Sequence, residues 1–405
     1  MTTTSNTATS TASTSERWIE RYAGAVMNTF GPPKLVLERG EGCRVWDVDG
    51  RSYVDFLGGI AVNTLGHAHP ALVGAVHAQM LRLGHISNFF ASPPQVELAE
   101  RLLALTACGT DGRVFFCNSG AEANEAAFKM TRRTGRTRII AMEDAFHGRT
   151  IGALALTSKP AYREPFEPLP GDVSWVPYGD LAALEAAVDE YTAAVVIEPL
   201  QGEAGVNVAS AEFLQGARSI TAAHGALLWL DEIQSGMGRT GTWLASHPSG
   251  VVPDIVTLAK GLAGGVPIGA CLGLGEAATL LQPGNHGTTF GGNPVATAAA
   301  LAVISAIEDD GLLANATAMG DRLRAGLAAD ARVTEVRGCG VLVGLTLAAA
   351  RAPEVVAAAL DAGWIINATG PDRLRFAPPL IVSAAEVDAL LAAWPSILDA
   401  AGVGA

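Results

Sequence analysis

Short apolar runs alternate with longer helical segments through the middle of this 405-residue chain. The runs are RVFFC (113–117), RIIAM (138–142), AAVVIEP (193–199), ALLWLDE (226–232) and DIVTLAK (254–260), and Ala- and Leu-rich segments lie between many of them. Runs of this length and composition predict buried strands. Strands that alternate with helices predict an α/β fold in which helices cover both faces of a mainly parallel sheet.

The pattern changes toward both chain ends. The segment LVLERGEGCRVWDVDGRSYVDF (35–56) predicts a strand meander, and a long helix, two strands and a closing helix (385–399) are predicted after about residue 300. We therefore predict a large domain over 64–299 and a smaller α+β domain built from 16–63 and 300–405. Residues 1–15 are a polar, low-complexity stretch, which predicts a disordered tail.

Charge and cysteine content narrow the classes of function. The 27 basic and 40 acidic residues give a net charge of −13, which argues against nucleic acid or an anionic membrane as a partner. No apolar stretch has the length of a membrane helix, and the N-terminus lacks the pattern of a signal peptide. The five cysteines are scattered without a C-x-x-C pair, which favours a reduced cytoplasmic protein that acts on small molecules.

Lys260 is the first candidate catalytic residue. The chain has only Lys34, Lys129, Lys159 and Lys260, and Lys260 ends the strand-like run DIVTLAK. Ligands of parallel sheets bind at the carboxyl ends of the strands, and lysine is the cation that can lose its proton near neutral pH and act as a nucleophile. Lys260 is either a surface lysine in a loop or the Schiff-base lysine of a carbonyl cofactor.

Asp231 ends another predicted strand, ALLWLDE. An unpaired charge in a buried place is costly, so a cation is expected beside it. The protonated ring nitrogen of a pyridoxal phosphate held by Lys260 would be such a cation. The alternative is an aspartate that caps the following turn.

A phosphate site is indicated at Ser119, Gly120 and Ala121, between a predicted strand and a predicted helix. Small residues at a helix start leave backbone N–H groups free to bind phosphate, and the helix dipole adds attraction. The alternative is an ordinary helix cap by Ser119.

Two further patterns are weaker. GMGRTG (236–241) matches the dinucleotide pattern G-x-G-x-x-G, but the residues after it read as a loop and open no helix. His67 and His69 lack a cluster of further metal ligands, so a turn before a helix starting at Pro70 is predicted instead. No metal site is predicted.

A set of motifs in fixed order resembles one enzyme family. They are NTFGPPKLVLERGEG, GIAVNTLGHAHP, NSGAEANE, AFHGRT, IEPLQGEAGV, LDEIQSGMGRTG, LAKGLAGGVPIGA, HGTTFGGNP and LRFAPPL. From about residue 18 to the C-terminus the chain is similar to the class III, ornithine-type aminotransferases, which are fold-type I pyridoxal phosphate enzymes. Within that class it is most similar to the acetylornithine aminotransferases of arginine biosynthesis.

The resemblance implies roles around the cofactor. Lys260 would bind pyridoxal 5'-phosphate covalently and move the proton between cofactor and substrate, and Asp231 would pair with the ring nitrogen. Gln234 would contact the ring hydroxyl and Phe146 would stack on the ring. The phosphate would be held by Ser119, Gly120 and Ala121 and, from the neighbouring subunit, by Thr289, so that the active unit would be a homodimer.

The resemblance also implies the substrates. The δ-amino group of N2-acetylornithine would pass to 2-oxoglutarate, giving N-acetylglutamate 5-semialdehyde and glutamate. Arg149 would bind the carboxylate far from the reacting carbon and Arg375 the near one. Glu203 would neutralise Arg375 when acetylornithine, which has no near carboxylate, is bound. Glu198 is given a structural role.

Other substrates stay open, namely succinylornithine, ornithine and 4-aminobutyrate. Ornithine-using relatives place a tyrosine near the segment that reads LGGIAVN (57–63) here, and the small and apolar groups of this segment favour an acylated amine. A regulator that binds the cofactor without catalysis is an alternative of another class. The joint presence of Lys260, Asp231, Arg149, Arg375 and Glu203 weighs against it.

Overall fold

A computed structural model describes residues 13–106 and 111–404. The strands are β1 (Leu37–Glu41), β2 (Arg44–Asp47), β3 (Ser52–Asp55), β4 (Gly112–Cys117), β5 (Arg138–Met142), β6 (Val173–Val176), β7 (Thr192–Ile197), β8 (Leu200–Gln201), β9 (Asn207–Val208), β10 (Leu227–Asp231), β11 (Ile255–Leu258), β12 (Gly269–Leu274), β13 (Val333–Cys339), β14 (Leu342–Leu347), β15 (Trp364–Ile365), β16 (Asn367–Ala368) and β17 (Arg373–Phe376). The α-helices are α1 (Thr14–Ala25), α2 (Gly58–Ala61), α3 (Pro70–Arg82), α4 (Pro93–Leu105), α5 (Gly120–Arg132), α6 (Ile151–Leu156), α7 (Pro160–Arg163), α8 (Leu181–Ala187), α9 (Ala211–His224), α10 (Pro294–Asp309), α11 (Leu312–Ala328), α12 (Ala352–Asp361) and α13 (Ala384–Ala400).

A seven-stranded sheet forms the centre, in the order β4-β12-β11-β10-β7-β5-β6. The pairs from β11 to β6 are parallel, and β12 runs antiparallel to both β11 and β4. The predicted α/β class with a mainly parallel sheet is confirmed. Every residue of β7 and β11 is buried, because helices cover both faces and the strands need no polar side.

The two faces of this sheet have separate cores. Ile140 packs with α8 and α9 through Leu184 and Phe213, whereas its neighbour Ile139 packs with α5 through Phe128. Successive side chains of a strand point to opposite faces, so one continuous apolar run serves both cores.

The ends of the chain build two smaller sheets together. One has the order β1-β2-β3-β15, in which β15 from the C-terminal part pairs in parallel with β3 from the N-terminal part. The other has the order β13-β14-β17-β16. Their shared core contains edge-to-face contacts of Phe56 with Trp364 and of Phe376 with Trp394.

The predicted domain division stays a prediction, but the structure adds detail at its boundaries. Helix α10 runs through the predicted boundary at 299/300, and its start packs on the central-sheet core while its end packs on the core of the chain ends. Residues 1–12 of the predicted tail lie outside the described residues. The tail prediction is wrong at 13–15, because Ser13 caps α1 and the first N–H groups of that helix donate to the carboxylate of Asp49.

No helix within 13–106 and 111–404 is long and apolar enough to cross a membrane.

Candidate active site

A cavity of about 460 Å³ opens at the carboxyl ends of the central parallel strands. This volume suits a cofactor with a small substrate. The predicted site residues that line it are Ser119, Gly120, Ala121, Phe146, Arg149, Asp231, Gln234 and Lys260. Glu203 and Arg375 reach it through Gln234, and Thr289 lies elsewhere.

Lys260 follows β11 and has a φ of +42°, in the left-handed region that side chains other than glycine rarely adopt. Strain of this kind persists where the surrounding structure enforces it, which often happens at functional sites. Burial lowers the pKa of the Lys260 amine to about 8. A substantial share of the amine is therefore neutral near physiological pH and can act as a nucleophile.

Asp231, at the end of β10, is held by three donors. Its Oδ2 accepts hydrogen bonds from Asn124 Nδ2 at 2.8 Å and from His147 Nδ1 at 2.7 Å, and its Oδ1 accepts from the Ile233 N–H at 3.1 Å. Burial opposes a charge on His147, but the hydrogen bond to Asp231 and the charge of Asp231 outweigh it and raise the pKa of His147. These contacts fix the carboxylate beside the cavity.

Helix α5 begins at the cavity wall. Ser119 caps it, since its Oγ accepts from the Glu122 N–H at 3.2 Å, and Glu122 accepts in turn from the Asn118 N–H at 2.6 Å. The N–H groups of Gly120 and Ala121 belong to the first turn and have no acceptor within the helix. The side-chain cap therefore leaves backbone N–H groups at this helix end free to bind an anion.

Two aromatic rings hold Arg149 at the cavity. Its guanidinium lies 3.6 Å from the centre of the Tyr162 ring and 5.6 Å from that of Phe146. Cation–π contacts of this kind orient a guanidinium and leave its N–H groups free for a carboxylate. The Phe146 N–H donates to Glu198 Oε1 at 2.9 Å, which fixes the Phe146 backbone.

Arg375 lies on β17, is 1% exposed, and is bound to Glu203. Its Nη1 donates to Glu203 Oε1 at 2.5 Å and to Gln234 Oε1 at 2.9 Å, while its Nε donates to Asn367 Oδ1 at 3.1 Å. Burial would raise the pKa of Glu203, but the charges of Arg375 and Lys260 and the hydrogen bonds from Arg375 and Gln234 together outweigh burial and lower the pKa. Nη2 of Arg375 has no hydrogen-bond partner among the described residues, so the guanidinium retains a free donor.

Thr289 is exposed and lies in a second hollow, beside Phe290. Asn88 ties this loop to the loop after α3, since its Nδ2 donates to the Thr288 and Gly291 carbonyls.

Sequence reasoning missed four residues at the site: Asn124, His147, Tyr162 and Glu198. Glu198 was given a structural role, but it lines the cavity, and burial raises its pKa. It directly follows β7, and Asp231 ends the neighbouring parallel strand, so the argument used for Asp231 could have found it. Asn124 lies one helical turn after Gly120, a spacing that could also have been noticed.

The glycine pattern and the histidine pair both belong to loops of the fold. Bends and turns follow GMGRTG, and the helix that comes next is a single 3-10 turn at His247–Ser249. The Nε2 atom of His67 lies 2.9 Å from Asp55 Oδ2. Within the described ranges no group of three or more His, Cys, Asp or Glu residues could hold a metal ion.

The functional groups that line the cavity fit pyridoxal phosphate. The amine of Lys260 suits its aldehyde, the fixed carboxylate of Asp231 suits its ring nitrogen, and the start of α5 suits its phosphate. The buried Arg375 with a free donor suits a substrate carboxylate.

Comparison with known proteins gives a family and close relatives. The family model described as aminotransferase class-III matches residues 26–398. The acetylornithine aminotransferase of Mycobacterium tuberculosis (strain ATCC 25618 / H37Rv) is 56% identical over 98% of this chain and 98% of its own. That of Streptomyces coelicolor is 57% identical over 95% of this chain and 96% of its own.

A solved structure agrees in fold. The ornithine aminotransferase of Toxoplasma gondii, in which pyridoxal phosphate partly occupies the active site, superposes with a TM-score of 0.89. It is 32% identical, and the match covers 96% of this chain and 94% of that one.

Proposed function

The chain belongs to the class-III aminotransferases, a family of pyridoxal phosphate enzymes, and we propose that its amino donor is N2-acetyl-L-ornithine and its acceptor 2-oxoglutarate. The products are N-acetyl-L-glutamate 5-semialdehyde and L-glutamate, a step of arginine biosynthesis. The observation that carries the proposal is the ion pair of Arg375 with Glu203 beside the Lys260 cavity. The choice of acetyl as the acyl group of the donor is supported by relatives of 56% and 57% identity that are acetylornithine aminotransferases.

Lys260 and Asp231 supply the chemistry from the protein side. When bound, pyridoxal phosphate provides an aldehyde for the amine and a ring that withdraws electrons from the bond being broken. Lys260 Nζ would hold the cofactor through its aldehyde, and the Lys260 amine, when free, would take the proton from the substrate carbon that bears nitrogen. Asp231, fixed by His147 and Asn124, would keep the ring nitrogen protonated.

Arg375 and Glu203 let one site accept two different donors. Acetylornithine has a single carboxylate, far from the reacting carbon, which Arg149 binds. With no carboxylate near that carbon, Arg375 needs Glu203 as its partner, because an unpaired buried cation is costly. Glutamate carries a second carboxylate next to the reacting carbon, which displaces Glu203 and takes the donors of Arg375.

We propose that the active unit is a homodimer in which Thr289 of one subunit reaches the phosphate of the other. Thr289 lies outside the cavity of its own chain. Its neighbour Phe290 and the nearby Phe89 and Phe90 are 60%, 91% and 69% exposed. An exposed apolar patch of this kind supports burial against a second protein surface.

We place the reaction in the cytoplasm. Cys43, Cys117, Cys271 and Cys339 are free thiols, which is typical of proteins in reducing compartments.

The test is to follow the absorbance of the bound cofactor while acetylornithine, succinylornithine, ornithine and 4-aminobutyrate are added in turn to the holoenzyme. Acetylornithine should convert the cofactor fastest and at the lowest concentration, and 2-oxoglutarate should reverse the change. A preference for another donor would replace the substrate. A holoenzyme that reacts with neither glutamate nor any of the four donors would be a non-catalytic regulator.

A further inference from the structure

The loop that carries Glu203 is held from outside the cavity by two arginines. This loop (202–206) joins β8 to β9. Arg373 Nη1 on β17 donates to the Ala204 carbonyl at 2.8 Å, and Arg337 Nε on β13 donates to the Gly205 carbonyl at 2.6 Å. The two residues that follow Glu203 are thus each bound through their backbone to the sheet that carries Arg375.

The loop adopts a conformation that needs such restraint. Gly205 has a φ of +101° and Val206 a φ of +66°. The left-handed region is costly for a β-branched residue, so this conformation lasts only if the surroundings enforce it. Val206 is fully buried against Leu200 and Leu342 and provides one anchor. The two arginine contacts provide further anchors, beside a hydrogen bond of 3.1 Å from the Val206 N–H to the Gln201 carbonyl.

Both arginines lie where they can control the position of Glu203. Arg373 and Arg375 are two residues apart on β17, so they project from the same face of the strand. Arg373 binds the loop backbone and Arg375 binds the loop carboxylate. Arg337 is itself fixed, since its Nη1 donates to Glu335 Oε2 at 2.7 Å and to Thr346 Oγ1 at 2.8 Å.

We propose that Arg337 and Arg373 are positioning residues that hold the 202–206 loop with Glu203 on Arg375, and thereby set the balance between the two amino donors. The inference rests on the proposed function, in which Glu203 and a substrate carboxylate exchange places on Arg375, and it names the residues that control this exchange. With either arginine removed, the loop is less restrained and Glu203 covers Arg375 less of the time. Glutamate then meets less competition, and acetylornithine more often meets an unpaired Arg375.

The experiment uses holoenzyme variants Arg373→Gln and Arg337→Gln, with Arg322→Gln as a matched control. Arg322 lies on α11, is exposed, and pairs with Asp388 away from the loop. Single-turnover rates and apparent affinities are measured for acetylornithine and for glutamate. The ratio of the two rates should shift toward glutamate by roughly three- to tenfold in the loop variants, the scale of a lost hydrogen bond, and stay unchanged in the control. Arg373→Lys, which keeps a cationic N–H donor group, should recover part of the shift.

A double variant separates positioning from general stabilisation. In a Glu203→Ala background, Arg373→Gln should cause no further shift in the ratio, because Glu203 is the group through which it acts. The same shift with and without Glu203, or equal losses in both half-reactions, would overturn the proposal.

The glutamate arm keeps the inference distinct from the proposed function. Failure of the wild type to react with acetylornithine would reject that substrate alone. The loop's role would still be decided by glutamate affinity, which should rise in Arg373→Gln only when Glu203 is present. An affinity that does not depend on Glu203 would overturn the inference.

Discussion

The charge state of Lys260 sets the pH range in which the apoprotein can take up its cofactor covalently. Burial lowers its pKa to about 8, whereas an ordinary lysine has a pKa of about 10.4. Below the pKa the amine is protonated and cannot attack an aldehyde, and above it the amine is free. The rate of covalent uptake should therefore rise with pH around a midpoint near 8, as measured by cofactor absorbance or by borohydride trapping on Lys260. A midpoint near the ordinary lysine value would contradict the burial effect.

Asp231→Asn should keep cofactor binding and slow turnover by several orders of magnitude, because an amide cannot hold the ring proton by charge. Asp254→Asn is a matched control, because Asp254 is also an aspartate at one end of a central strand, just before the start of β11. Asp254 Oδ2 accepts from the Leu228 N–H at 2.7 Å and pairs with Arg218, so its loss should lower stability and leave the turnover of folded enzyme unchanged. Turnover of the folded variants is compared at saturating substrate. Similar rates for Asp231→Asn and the wild type would remove Asp231 from the mechanism.

Position in the chain predicted some of the site residues, and the family resemblance supplied others, among them Arg149 and Arg375. Lys260 and Asp231 end apolar runs, and the small residues at 119–121 start a helix. Tyr162 and His147 carry no such signal, since their roles depend on partners brought close only by folding: Arg149 for the first and Asp231 for the second.

At the scale of elements, the start of α5 makes a specific prediction. Ser119→Ala should cost about 1 kcal/mol of stability through the lost cap. It should also weaken pyridoxal phosphate binding about tenfold or more, because the hydroxyl is a predicted phosphate contact. Ser383→Ala is the control, since Ser383 Oγ likewise accepts from the N–H three residues later, at the start of α13, and Ser383 does not line the cavity. It should lose similar stability and keep cofactor affinity, with both quantities measured by titrating the apoprotein and by chemical denaturation. Equal cofactor affinity in both variants would leave Ser119 as a cap alone.

Some strands are not predicted by the local pattern of apolar residues in the sequence. β12 (GACLGL) is fully buried and completes the sheet, yet its glycines give it a weak strand signal. Glycine is required there because neighbouring elements pack closely: a Cβ at Gly273 would lie 2.8 Å from the Ala277 carbonyl oxygen. Close backbone approach is a tertiary requirement, and a local pattern does not contain it.

At the scale of the whole molecule, the predicted domain boundary illustrates a related limit. The pattern of predicted elements changes near residue 300, but α10 is one helix through that point, with Ala299 in one core and Val303 in the other. A helix buried at both of its ends has no polar linker to mark a boundary. Pairing of β15 with β3 supports the prediction that both chain ends build the smaller domain.

The proposed dimer makes the last prediction, because it divides each active site between two subunits. Lys260→Ala should be inactive, and Thr289→Asp should be inactive through repulsion of the cofactor phosphate in the partner's site. When both variants are refolded together, half of the dimers should be mixed, and each mixed dimer has one site with both substitutions and one with neither. The mixture should thus regain about a quarter of wild-type activity.

The control mixture combines Lys260→Ala with Asp231→Asn. Both residues line the cavity of one chain, so every site in a mixed dimer keeps one defect and no activity should return. Size-exclusion chromatography of each mixture reports the dimers, and the transamination rate reports the sites. If dimers form but neither mixture regains activity, Thr289 does not act in the partner's site. If both mixtures regain activity, the two subunits share more of each active site than the loop that carries Thr289.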